Sequence, residues 1–153
     1  MAAKKQQKPL EIVIDTREQL PWRFNKYDDV SIFAKKLDEG DYSIYGFEDQ
    51  IAIERKGMND FLSSITQGRE RFEREIERLS AKRFKFIIVE KTLHIVFTET
   101  ILNRRIHPNS IIGTLASWHM KYGVQFFFME NAKYAEEMAY RIFKNFNEKY
   151  REL

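Results

Sequence analysis

Hydrophobic residues in this chain fall into short runs between charged turns, and their period switches between strand-like and helix-like. Glu11-Ile12-Val13-Ile14-Asp15 is a β-branched run ended by polar residues and predicts a buried strand. Pro21 and Asn25 then mark a loop. Val30 to Leu37 fits a strand or a helical turn, and the turn signal Asp38-Glu39-Gly40 after it favours a strand. Tyr42 to Tyr45 and Ile51 to Arg55 predict two strands joined by the four-residue loop Gly46-Phe47-Glu48-Asp49. Pairing Tyr45 with Gln50 sets an antiparallel register that puts Asp41 opposite Glu54, with Lys56 on the same face. Tyr42, Ile44, Ile51 and Ile53 then line the other, apolar face.

Downstream, Asn59 is expected to cap a helix from about Asp60 to Gln67. Gly68 breaks that helix before a second one, Arg69 to about Lys82, with the narrow apolar stripe Phe72, Ile76 and Leu79. Phe84 to Glu90 is the strongest strand signal and predicts a central strand. Thr92 to Leu102 fits either a helix or an irregular segment. Ile111, Ile112, Leu115, Trp118 and Tyr122 predict a helix over 110–122 closed by Gly123. Val124 to Met129 predicts a further strand, and Asn131 caps a last helix reaching about Tyr150. The expected architecture is α/β, a mixed β-sheet with helices on both faces.

Composition narrows the class. A chain of 153 residues, 43% hydrophobic and 14% aromatic, fits one globular domain over 9–153 preceded by a disordered basic tail at 1–8. No run approaches the roughly 18 apolar residues of a membrane span, and the start lacks a signal-peptide core, so a cytoplasmic protein is expected. The absence of cysteine excludes disulfides and thiolate zinc sites, and the three histidines show no ligand spacing. A metal would be held by oxygen. Basic residues number 26 against 23 acidic, and a pI near 9.0 permits nucleic-acid binding.

The predicted hairpin carries the chemistry. Two carboxylates facing each other across a strand pair repel without a cation, and Mg²⁺ is commonly held by one or two carboxylates with waters and substrate phosphate. Asp41 and Glu54 are therefore candidate metal ligands, with the backbone carbonyl of Arg55 a third. Lys56 can orient or deprotonate an attacking water, or neutralise developing charge. Asp15 and Glu18 end the first strand as further acidic groups, able to complete the ligand set or hold a second ion. Asp60 fits a helix cap, a partner for Arg55 or a catalytic group.

Gly40-Asp41, Glu54-Arg55-Lys56 and Asp60 match the pattern GD, a variable gap, ERK, three residues, D. That pattern resembles the nuclease domain of XPF-type structure-specific endonucleases, within the restriction-endonuclease-like PD-(D/E)XK superfamily. Asp15, Arg17 and Glu18 are similar to its first acidic motif, and Gly68-Arg69 to its segment after the ERK helix. The resemblance runs from about Glu11 to Phe128. It implies Mg²⁺-dependent incision of DNA near single-strand to double-strand transitions, with Mn²⁺ able to substitute. Asp41, Glu54 and Lys56 would stand at the centre, Arg17 and Arg55 in support. It also implies homodimers. The chain ends at Leu153 without the tandem helix-hairpin-helix module usual in the family, resembling stand-alone forms from bacteria and phages.

Other residues carry paired readings. Arg69, Arg71, Arg74 and Arg78 suit phosphate contacts, Arg69 above all, yet their alternation with glutamates equally suits a salt-bridged solvent face. Trp22 and Arg23 could meet an unpaired base and the backbone, whereas a packed loop anchor is the ordinary role of such a tryptophan. Arg104, Arg105, Lys4, Lys5 and Lys8 are further candidates for backbone contact. Against a DNA endonuclease stand a noncatalytic DNA-binding or scaffold subunit with the same fold, and an RNA-directed or replication-fork accessory nuclease.

Overall fold

The computed structural model describes residues 8–103 and 106–151. Apart from Lys8, the expected basic tail lies outside them, as do Arg104 and Arg105. Six strands form one sheet: β1 (Leu10–Ile14), β2 (Val30–Ala34), β3 (Tyr42–Ile44), β4 (Ile51–Lys56), β5 (Phe84–Val89) and β6 (Gln125–Phe128). Their order is β2-β1-β3-β4-β5-β6. Strand β3 runs antiparallel to β1 and β4, and the remaining neighbours pair in parallel, which makes the sheet mixed. The helices are α1 (Met58–Ser64), α2 (Arg69–Leu79), α3 (Leu93–Asn103), α4 (Pro108–Tyr122) and α5 (Ala132–Asn145), the last running into a π-helical turn at Phe146–Tyr150.

Strand alternation sorts the core into two layers. Ile12, Ile14, Tyr42, Ile44, Ile51 and Ile53 meet Ala135, Ala139, Tyr140 and Phe143 of α5 on one face. On the other, Ala52, Ile87 and Val89 meet Phe61 of α1, Phe72, Ile76 and Leu79 of α2, Val96 of α3, and Ile111 and Trp118 of α4. Each fully buried large side chain contributes about 1.5–3 kcal/mol, so both helical layers are held mainly by apolar area. Four helices on one face and one on the other give the α/β arrangement with helices on both sides.

The hairpin register is the one expected, with Tyr42 opposite Ile53. Its connection differs. The Tyr45 N–H donates to the Glu11 carbonyl of β1 at 2.9 Å rather than pairing with Gln50, and Phe47 turns back onto Ile44, so the loop spans 45–50. The N-cap of α1 is Gly57, one residue before Met58, instead of Asn59. Helix α1 stops at Ser64 because the Gly68 N–H closes onto the Ser63 carbonyl at 2.8 Å. Residues 93–103 resolve as helix. Gly123, at φ 68°, closes α4 in the left-handed conformation, and the Asn131 side chain caps α5 by accepting the Tyr134 N–H at 3.1 Å.

Candidate active site

The site lies where β1, β3 and β4 meet the N-terminal half of the chain's loops. Gly40 turns the chain into β3 at φ 79°, and a Cβ there would lie 3.0 Å from the Ala52 Cβ and 3.2 Å from the Ile53 carbonyl oxygen. Only glycine lets the strand press this closely on β4. Asp41 follows, its N–H donating to the Ile53 carbonyl at 2.8 Å and its carboxylate accepting the Arg55 N–H at 2.7 Å. On β4, Ala52 belongs to the layer facing α1–α4, and alternation directs Glu54 and Lys56 the same way. Lys56 Nζ stands 3.9 Å from Glu54 Oε1 and 4.3 Å above the Phe72 ring, with the two side chains 12% and 20% exposed.

Burial dominates the electrostatics of this pair. It pushes the Asp41 carboxyl up to about 7, with the Glu18 and Asp15 charges adding to the rise and the Arg55 N–H and Lys56 opposing it. Glu54 is raised well above the usual carboxylate range, first by burial and then by Asp41. The site therefore holds adjacent acidic groups with too little positive charge to keep both ionised.

Asp15, at the end of β1, is treated differently. Burial alone would raise it, but hydrogen bonds from Arg17 and the Leu37 N–H outweigh that and hold it below its ordinary value. Arg17 Nε donates to Oδ2 at 2.8 Å and the Leu37 N–H to Oδ1 at 2.9 Å, while Arg17 Nη2 and the Arg17 N–H lie at 3.4 Å. Four donors fill the roughly four acceptor sites of a carboxylate. This geometry leaves Asp15 out of the open donor set and makes it an anchor for Arg17.

Glu18 stays at the cleft. Its Oε2 accepts the Tyr42 hydroxyl at 2.9 Å and lies 3.6 Å from Arg55 Nη1. Arg55 points to the other side of β4, where its guanidinium bonds Glu90, the Leu20 carbonyl and the Tyr42 hydroxyl, and lies 4.9 Å from the Trp22 ring. Trp22 is 3% exposed, stacks on Tyr42 at 4.5 Å and donates Nε1 to Glu90 at 3.1 Å. Base stacking by Trp22 is therefore corrected to a packed loop anchor, since its ring has no free face.

A cleft of about 300 Å³ gathers Asp15, Arg17, Glu18, Asp41 and Glu54 with Glu75 and Arg78 of α2. The α2 pair was hidden in the sequence by the alternation of charges along that helix. A clue existed in the helical spacing, because residues 75 and 78 flank Ile76 and Leu79, which the apolar stripe turns toward the sheet. Asp60 is exposed in the first turn of α1, and Arg55 pairs with Glu18 and Glu90 rather than with it. Arg69 donates to the Thr114 hydroxyl at 2.9 Å and lies 5.0 Å from the Trp118 ring, which ties α2 to α4. Arg23 is exposed and does not line the cleft.

Among the described residues, no group of three His, Cys, Asp or Glu side chains is placed to hold a metal. With Asp15 saturated and Glu18 held by Tyr42 and Arg55, Asp41 and Glu54 are the carboxylates next to the Arg55 backbone. Oxygen donors in that small number suit Mg²⁺ or Mn²⁺, which complete their shell with water and phosphate. The excess negative charge of the pair is the property a divalent cation relieves.

A family model for the ERCC4 domain matches residues 14–142. A Methanocaldococcus jannaschii protein named as an ATP-dependent RNA helicase is 29% identical over 136 residues, covering 88% of this chain and 15% of that protein. XPF from Aeropyrum pernix superposes with a TM-score of 0.65 at 24% identity, over 86% of this chain and 61% of that one. The same protein in complex with DNA gives 0.58 at 22% identity, over 88% and 66%. This chain thus spans less than two thirds of each of these relatives. The mixed six-stranded sheet is the fold of the XPF structures, and the chain belongs to the ERCC4 domain family.

Proposed function

We propose that the protein is a divalent-metal-dependent DNA endonuclease that hydrolyses phosphodiester bonds at branched, flap or junction DNA during repair, recombination or replication. The observation that carries this reading is the placement of Asp41 and Glu54 in one cleft, with Lys56 Nζ 3.9 Å from the Glu54 carboxylate. The XPF structure in complex with DNA supports DNA as the substrate.

Asp41, Glu54 and the Arg55 carbonyl would hold Mg²⁺ or Mn²⁺. When bound, such an ion supplies Lewis-acid polarisation of the phosphate and lowers the pKa of a water at the site. Lys56 Nζ orients the attacking water and neutralises negative charge that grows on the phosphorus oxygens. Glu18, steadied by Tyr42 and Arg55, borders the same space and can take a proton or a water hydrogen bond. The Phe72 ring under Lys56 keeps water from one side of the ammonium, which strengthens its pull on an anion. A homodimer belongs to the same proposal.

The test is a cleavage panel of flap, fork, four-way junction, duplex and single-stranded DNA with Mg²⁺ and with Mn²⁺. Cleavage of branched substrates is expected, lost on chelation and in Glu54→Ala and Lys56→Ala while circular dichroism is unchanged. Full activity of both variants would sink the site assignment, and binding without cleavage under every condition would leave a noncatalytic subunit.

A further inference from the structure

We infer that Arg17 and Arg78 form a phosphate clamp across the acidic cleft, gripping the nucleic-acid backbone on either side of the bond cut at Asp41 and Glu54, and that Asp15 serves to aim Arg17. The inference rests on the nuclease reading and adds the residues that would seat the strand.

The cleft has an acidic floor, Glu18, Asp41, Glu54 and Glu75, which by itself repels a polyanion. Its lining contains two cations that come from different walls. Arg17 comes from the loop after β1, and Arg78 from the last turn of α2. Among the arginines of α2, Arg69 is tied to Thr114 and Trp118, and Arg71 and Arg74 are exposed without lining the cleft. Arg78 is the α2 arginine that reaches the site, so charge on this helix is not interchangeable.

Arg17 is built to point. Its Nε and Nη2 are committed to Asp15 and, through Nη2, to the Leu37 carbonyl at 2.7 Å, which fixes the plane of the guanidinium. Its side chain is nonetheless 64% exposed, and Nη1 makes no hydrogen bond among the described residues. A guanidinium held through Nε and Nη2 and open at Nη1 presents an aimed donor nitrogen to a phosphate oxygen. This gives the saturated carboxylate of Asp15 a purpose that metal ligation does not. Lysine in place of Arg17 could carry the charge but has no separate nitrogens, one set held by Asp15 and Leu37 and another open to the cleft.

The clamp is tested by fluorescence anisotropy with a labelled flap DNA, without divalent ion, in a Glu54→Gln background so that binding is read apart from cleavage. Arg17→Gln and Arg78→Gln should each weaken binding on the order of tenfold. Each should also lower the slope of log Kd against log salt by about one phosphate contact. Arg74→Gln, on the same helix, should move neither quantity. Asp15→Asn should weaken binding as Arg17→Gln does, and Arg17→Lys should fail to restore it. Arg78 is exposed, so its variant keeps the fold even if changes at Arg17 disturb the loop. Arg78→Gln behaving as Arg74→Gln overturns the clamp alone, provided the parent protein binds DNA. A parent that binds none overturns the clamp, whereas the nuclease reading stands or falls on metal-dependent cleavage by the wild-type protein.

Discussion

Two acidic positions at neighbouring strand ends have been given opposite surroundings. At the end of β1, Asp15 receives donors from Arg17 and Leu37 and its carboxyl is stabilised as the anion. Just before β3 and within β4, Asp41 accepts one backbone N–H and Glu54 has a lysine at 3.9 Å, and burial pushes both toward the neutral form. Similar side chains thus divide into a finished structural pair and an unfinished one. A protein selected only for stability has little reason to keep the second arrangement, because uncompensated buried charge costs several kcal/mol. The difference locates the site where something cationic belongs.

Substitutions at Asp15 and Asp41 should change stability with opposite sign. Asp15→Asn removes charge-assisted hydrogen bonds and is expected to destabilise the metal-free protein by about 2–3 kcal/mol, a fall in Tm of roughly 5–10 °C. Asp41→Asn, which keeps an acceptor for the Arg55 N–H, should instead stabilise the metal-free protein by about 2 kcal/mol near neutral pH. Thermal melts of both variants check this, and destabilisation of similar size by each would erase the distinction. Gly40→Ala comes next, at about 1–3 kcal/mol, because alanine at φ 79° is strained and its Cβ would crowd Ala52. It should also displace Asp41 and slow cleavage more than an equally destabilising core change.

The smallest effect is in the pH profile of the metal-free protein. Asp41 titrates at about 7 when folded and near 3.8 when unfolded, so its share of stability is complete below 3.8 and is lost as pH rises through about 7. Asp15 contributes the reverse limb, present above 3.8 and lost as pH falls through its lowered folded value. Melts across pH should therefore show a decline on the neutral side that Asp41→Asn flattens. Mg²⁺ should raise Tm more above pH 7 than at about pH 5, where protons compete for the same carboxylates. A Tm shift independent of pH would argue against this pair as the binding site.

Much of this was legible because it depends on period. The antiparallel register that sets Tyr42 opposite Ile53 is read from the alternation of the two strands, and the apolar set Tyr42, Ile44, Ile51 and Ile53 fixes which face is core. The stripe Phe72, Ile76 and Leu79 likewise declared the buried side of α2. What stayed hidden depends on contacts distant in sequence. Nothing local tells that Leu37 would supply a donor to Asp15, that Thr114 and Trp118 would occupy Arg69, or that Glu75 and Arg78 would reach a cleft made by β3 and β4. The loop at Tyr45 departs from the expected hairpin for the same reason, since β1, far earlier in the chain, captures its N–H. Trp22 shows how a surface-looking loop residue becomes core once Tyr42 and Glu90 close over it.

The most direct test of the central claim is the rate at which the wild-type protein and Glu54→Gln cut a flap DNA with Mg²⁺. Wild-type cleavage that is lost on chelation, and that falls at least about a hundredfold in a folded Glu54→Gln protein, is the predicted result. Cleavage by Glu54→Gln at the wild-type rate, or wild-type cleavage indifferent to Mg²⁺, would contradict it.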